Sequence, residues 1–337
     1  MPQNGSGVKR NPTMRVFVYE YLTATGTGRE PGSPAHGMYL EGRAMRDAVA
    51  EDFARIPGVE VVALDQFEDE DHEHEIWRAA EECNWSLVIA PETDGQLDRD
   101  CWAIHYSASR LLGPSVDAIR LTSDKLALSE YWRARDIPTP ATTDRAPTAC
   151  EAFPVVWKPR DGAGSTDTFL VRDRFELAQA LANRDPARPM ILQEFVPGRA
   201  ASVAFLCGPR GHVPLLPTFQ LLGDEGRFKY EGGELPIPPD LAERAVMLGR
   251  RAVACVPGLL GYVGVDLVLG DAPDGSRDSA IEINPRLTTS YVGLRAMTGD
   301  NLMAKLWDVC AGASDVRVTW HDGGVRFTPD GTVTRFA

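Results

Sequence analysis

The first hundred residues alternate apolar runs with helical stretches, and that order permits few folds. "MRVFVYEYL" at residues 14–22 is strand-like, and after a Gly/Thr/Pro loop "MYLEGRAMRDAVAEDFARI" has helical spacing. "VEVVALD" and "WSLVIAPE" repeat the strand signal, with acidic helical stretches between them. This β-α-β alternation predicts a parallel α/β unit to about residue 112. Ligands of such sheets sit at the carboxyl ends of the strands, where two loops leave, residues 23–33 and 91–97.

From "TSDKLALSEYWRARDIPTP" onward the pattern changes. The strands "FPVVWKP" and "DTFLV" flank the Gly-rich "RDGAGST", and the helix "RFELAQALANR" with the strand "PMILQEFVPG" completes a small α+β unit. The remainder carries "SVAFLCG", a Pro/Gly-rich loop "GRFKYEGGELPIPP", a long helix, the strands "YVGVDLVLG" and "SAIEIN", and a closing helix. The expected organisation is a disordered lead-in at 1–13, then units over 14–112, 113–195 and 196–337.

With 337 residues, 43% hydrophobic and 25% charged, the chain has core-forming material for two or three packed domains. A net charge of -13 argues against nucleic-acid and acidic-membrane partners, because phosphate binding by counterion release needs a basic face. The six cysteines lie far apart with no CxxC pair, which suggests free thiols in a reducing cytoplasm rather than zinc or a disulfide framework. The polar start "MPQNGSGVKRNPT" reads as a lead-in rather than a signal peptide. No apolar run approaches the roughly 20 residues of a membrane helix. His72 and His74 are two apart on a predicted helix and point to different faces, so they read as surface residues rather than metal ligands.

Polar residues with chemical potential concentrate near the end. In "AIEINPRLTTSYVG", Glu282 and Asn284 alternate with apolar residues and leave the strand on one face, followed by Arg286. Asp266 lies in "GVDLVLG", and the turn-rich "DAPDGSRDS" between the two strands predicts an antiparallel hairpin that sets these residues side by side. Asp266, Glu282 and Asn284 could then converge on a hard divalent cation such as Mg²⁺; a half-solvated strand face is the competing account. Lys158 precedes the Gly/Ser/Thr loop, whose free backbone N–H groups suit a polyphosphate. No GxxxxGK[ST] occurs, so the P-loop mechanism is excluded, and "TGTGREPG" lacks the third glycine of a dinucleotide fingerprint.

Read in order, Lys125, Lys158, the Gly-rich loop, "QEFVPG", Asp266 and "EINPR" resemble the ATP-grasp superfamily over roughly residues 14–312. The resemblance implies mixed α/β and α+β architecture: a parallel pre-ATP-grasp domain, a small central α+β domain and a C-terminal α+β domain with an antiparallel sheet. It also implies carboxylate–amine ligation through an acyl phosphate, with ATP and Mg²⁺ or Mn²⁺. Carried onto this chain, Lys125 and Lys158 contact phosphates, the loop with Gly162, Gly164 and Ser165 closes over them, and Gln193, Glu194 and Val196 form the adenine hinge. Asp266, Glu282 and Asn284 become metal ligands, and Arg286 neutralises the developing acyl phosphate. One departure is "PGRAASVAF", where many relatives carry a ribose-binding acid and this chain has Arg199, Ala200 and Ala201.

"VYEYLT", "APETDGQL", "YEGGELP" and "EINPRLTTSYVGL" together look like one subgroup, the tyramine-glutamate ligases of methanofuran-type cofactor biosynthesis. That likeness implies small-molecule partners, glutamate and an aromatic amine, with a homodimer as a compatible assembly. Thr288, Thr289 and Ser290 become candidates to hold the amino acid, and Glu20, Tyr21, Glu92 and Asp94 candidates to receive the amine. Tyr230, Gly232 and Gly233 are expected in a lid loop. Dipeptide-type ligation, glutamylation of a cofactor precursor and ATP binding without catalysis are the alternatives.

Overall fold

Val16, Phe17, Val18 and Tyr19 are all buried, as a strand covered on both faces requires. In the computed structural model, which describes residues 14–68, 71–145, 152–164, 166–223 and 226–336, they lie in β1 (Met14–Glu20). β1 pairs in parallel with β2 (Val59–Ala63) and β3 (Trp85–Ile89), and β4 (Arg110–Leu111) completes the order β2-β1-β3-β4. The short α1 (Tyr21–Thr25), the long α2 (His36–Ala54), α3 (His72–Glu81) and α4 (Gln96–His105) connect these strands. The lead-in expected at 1–13 lies outside the described residues.

α5 (Val116–Ser123) and α6 (Lys125–Arg133) lead into a second sheet. Its strands β5 (Thr142–Thr143), β6 (Val155–Pro159), β7 (Phe169–Val171) and β8 (Met190–Glu194) run antiparallel in the order β5-β8-β6-β7. Val155, Trp157, Val171 and Leu192 build its small core, with Leu177 from α7 (Arg174–Ala182) packed against them.

The third sheet is the largest. β9 (Arg199–Gly208), with β10 (Gly211–Pro214) at its side, pairs with β11 (Thr218–Leu222), which pairs with β12 (Tyr230–Leu235). α8 (Pro239–Ala254) covers one face, and β13 (Gly261–Leu269) and β14 (Ser279–Asn284) extend the sheet beyond β9. α9 (Ser290–Ala296) and α10 (Leu302–Cys310) cover the opposite face, and β15 (Gly324–Phe327) and β16 (Val333–Phe336) close the far edge. Its core also contains Val16, Val18 and Leu87, so the parallel unit and the large sheet share buried surface.

Two charged networks fix the parts that matter for the site. Arg244 (9% exposed) donates to Asp278 Oδ2 at 3.0 Å and to the Gly270 carbonyl at 2.8 Å, while Gly270 N donates to Asp278 Oδ1 at 2.9 Å. This pins the turn between β13 and β14. Across the units, Arg295 of α9 pairs with Asp52 of α2 at 2.8 Å, Tyr291 donates its hydroxyl to the same carboxylate, and Asn301 Nδ2 donates to the Asp52 carbonyl at 2.6 Å.

The structure corrects the expected lid. Gly232 and Gly233 are inside β12, hydrogen-bonded between β11 and β15, rather than in a loop. A Cβ at Gly232 would lie 1.9 Å from the Phe327 carbonyl oxygen, and its φ of +123° is one side chains avoid. These glycines serve close strand packing.

Candidate active site

The β13–β14 hairpin forms in the expected register, with Asp266 opposite Glu282 and Gly264 opposite Asn284. Asp266 accepts from Asn284 Nδ2 at 3.1 Å and from Gln220 Nε2 of β11 at 2.9 Å. Lys125, the first residue of α6, places Nζ 3.0 Å from Glu282 Oε2 and donates to the Gly162 carbonyl at 3.0 Å. Lys158, near the end of β6, lies 4.0 Å from the same Glu282 oxygen. Asp124 caps α6 and also accepts from Arg160 at 2.9 and 2.7 Å, which ties the helix start to the strand end. Residues from two sheets and a helix thus meet around one carboxylate.

Burial weakens the Lys158 ammonium, with Lys125 adding repulsion and Glu282 opposing it, so its pKa falls to about 8. Burial and then the Glu282 charge lift Asp266 to about 7. Burial would lift Glu282 as well, but Lys125 and Lys158 outweigh it and hold Glu282 below the usual carboxylate range. The two lysines thus hold Glu282 charged, while its register partner Asp266 is raised by burial and by that charge. Among the described residues no group of three or more His, Cys, Asp or Glu side chains could hold a metal. The donor set is instead two carboxylates and an amide, hard oxygen ligands that suit Mg²⁺ or Mn²⁺ when a substrate's phosphate oxygens complete the coordination.

These groups open into a cleft of about 410 Å³. At one end lie Glu194, Phe195 and Val196, with Gln193 buried behind them and donating to Thr142 Oγ1 at 2.9 Å. Gly162 (φ +111°) and Gly164 (φ +69°) shape the loop along one side, in conformations that glycine adopts without strain; Ser165 lies outside the described residues. Where a ribose-binding acid was missing from the sequence, Gly198, Ala200 and Ser202 line the wall and Arg199 stacks 3.4 Å over the Phe219 ring.

Arg286 stands at the other end. Its Nε and Nη2 donate to the two oxygens of Glu92 at 3.0 and 3.2 Å, and Nη1 donates to the Leu287 carbonyl at 3.1 Å. Beyond it, Thr288 and Ser290 share a hydroxyl contact of 2.9 Å, Tyr262 reaches Ser290 Oγ at 3.0 Å, and Thr289 donates to Glu41 of α2. Tyr230 and Phe228 also line the cleft.

The sequence profile of the ATP-grasp domain matches residues 122–290, and that of the pre ATP-grasp 3 domain matches 44–119. The chain belongs to the ATP-grasp family. A Methanocaldococcus fervens protein named tyramine–L-glutamate ligase is 26% identical, with 93% of this chain and 99% of that one covered. A D-alanine–D-alanine ligase of Francisella philomiragia is 27% identical over 54% of this chain and 63% of its own. Among solved structures, an ATP-grasp superfamily protein from Archaeoglobus fulgidus superposes with a TM-score of 0.69 at 27% identity, covering 93% of this chain and 92% of that one. An L-amino acid ligase from Bacillus licheniformis shares the fold, with a TM-score of 0.64 at 14% identity over 94% of this chain and 79% of its own.

In this ATP-grasp protein Lys125, Lys158, Gly162, Gly164, Gln193, Glu194, Val196, Asp266, Glu282, Asn284, Arg286, Tyr230, Thr288, Thr289 and Ser290 all line one cleft. Gly232 and Gly233 do not, and neither do the four candidates for receiving the amine. Glu20, only 2% exposed, caps α1 by accepting from Leu22 N at 3.1 Å and Thr23 N at 2.7 Å, so its carboxylate is spent on the backbone. Tyr21 packs at the edge of the parallel unit's core. Asp94 is exposed, and its N–H donates to Asp161 at 2.8 Å. Glu92 is occupied by Arg286. Gln220 and Glu41 are cleft residues that the sequence reading missed. The alternation of "TFQLL" could have flagged Gln220, whereas Glu41 is one acid among many on an amphipathic helix.

Proposed function

We propose that this protein joins the γ-carboxyl of glutamate to tyramine or a similar aromatic amine, using ATP and giving ADP and phosphate, as a step in making a methanofuran-type one-carbon carrier. The carrying observation is that Lys125, Lys158, Asp266, Glu282 and Arg286 lie in one cleft that continues past Arg286 to hydroxyls and an acid. The relative named tyramine–L-glutamate ligase, aligned over nearly the whole chain, supports the substrate pair.

On this reading Lys125 and Lys158 hold phosphate oxygens, and Asp266, Glu282 and Asn284 hold a divalent ion. That ion, when bound, draws charge from the phosphoryl oxygens during transfer to the carboxylate. Arg286 faces the acyl phosphate, and its pairing with Glu92 keeps the guanidinium aimed into the cleft. Attack by the amine on the acyl carbon then releases phosphate.

The test is ADP release with ATP, Mg²⁺ and glutamate against a panel of amines and amino acids. Tyramine-dependent ADP, abolished in Lys158→Ala and Glu282→Ala variants that still melt cooperatively, is the expected result. Turnover only with alanine would assign the chain to dipeptide-type ligation, and ATP binding without amine-dependent ADP would make it a non-catalytic module.

A further inference from the structure

Two acids of the parallel unit reach the segment 286–290, and they differ in remaining capacity. Both oxygens of Glu92 are taken by Arg286. Glu41 accepts one hydrogen bond, from Thr289 to Oε1, and among the described residues its other oxygen has no hydrogen-bond donor. It lines the cleft together with Tyr230 and Arg286. Burial pushes the Glu41 carboxyl above the ordinary carboxylate range, with the Thr289 bond and Arg286 opposing. Everything assigned to phosphate comes from α6, β6 with the glycine loop after it, β13, and β14 with Arg286 just beyond it, whereas Glu41 enters from α2. A nucleophile must approach the activated carbon from a side that the phosphoryl groups leave open.

We infer that Glu41 receives the amine nucleophile as its ammonium ion and takes the proton that must leave before attack; this rests on the ligase reading above. An alkylammonium ion titrates near the ~10.4 of a lysine side chain, so close to neutrality almost all of it arrives protonated. The ammonium gives one proton to the Glu41 carboxylate, leaving a neutral amine and a carboxylic acid. The nitrogen lone pair forms the C–N bond as the bond from the acyl carbon to phosphate oxygen breaks. The second nitrogen proton leaves with the phosphate as hydrogen phosphate, and Glu41 returns its proton to water. Tyr230, close enough to feel the Glu41 charge, suits an amine carrying an aromatic ring.

The experiment compares wild type and Glu41→Gln with tyramine and with hydroxylamine, a nucleophile that is neutral near pH 7 and needs no base, each with ATP, Mg²⁺ and glutamate. Glutamine still accepts the Thr289 hydrogen bond, and hydroxamate formation reports that the variant is folded and activates glutamate. Tyramine turnover should fall about 10²–10⁴-fold while hydroxamate formation falls far less, and the residual tyramine rate should rise with pH as the free amine becomes available. Equal losses with both nucleophiles, or no loss with either, overturn the assignment. So does a raised glutamate KM common to both, which would give Glu41 to the amino acid's own ammonium. A wild-type enzyme that makes neither product overturns the ligase reading and this inference with it.

Discussion

Asp100 shows how much a single buried acid weighs in this protein. It is 1% exposed, accepts from Gln96 Nε2 at 2.7 Å through one oxygen, and has the buried Tyr19 hydroxyl beside it. Burial raises its pKa to about 7, against ~3.9 for an exposed aspartate, with Gln96 and Arg99 opposing the rise. Between those values the folded chain binds a proton that the unfolded chain does not, so stability falls as pH rises through that window, and the full cost is present above it. Asp100→Asn should therefore match wild type near pH 4 and exceed it by a few kcal/mol near pH 8. Urea melts at both pH values check this; parallel curves would mean that the carboxyl stays solvated.

At the scale of elements, the β13–β14 hairpin was legible because a two-residue period fixes which side chains share a face. Asp266, Glu282 and Asn284 needed only the two strands and the turn between them to be placed together. The lid was misread because Gly and Pro mark loops in most sequences, whereas here glycines let β12 approach Phe327. Gly232→Ala should thus cost about 1–3 kcal/mol or more through the clash and the positive φ, measured as a lower urea midpoint. An unchanged midpoint would restore the mobile-loop account. The Arg286–Glu92 pair spans 194 positions, and nothing local in either segment announces its partner. Glu20 was misassigned for the opposite reason: a helix too short to show in the pattern used its carboxylate as a cap.

The molecule as a whole is held across its units by shared core and by Asp52. Asp52 is 4% exposed and takes hydrogen bonds from Arg295 and Tyr291, so Arg295→Ala leaves a buried charge with less compensation. Removing one partner of a buried pair costs about 3–5 kcal/mol, and the partly open position of Arg295 points to the lower end. A single urea transition at a lower midpoint is expected, because the parallel unit and the large sheet unfold from a common core. A separate early transition would mean that the units are independent.

Glu41 and Asp52 are eleven residues apart on α2, about three helical turns, so the face that anchors the helix is also the face that enters the cleft. On the assignments above, the parallel unit brings the acid for the incoming amine, and the groups that activate the carboxylate all lie C-terminal to it. The two halves of the reaction are therefore inherited from different stretches of chain. A lineage that changes residues along α2 acquires a new acceptor while the phosphorylating apparatus passes on untouched.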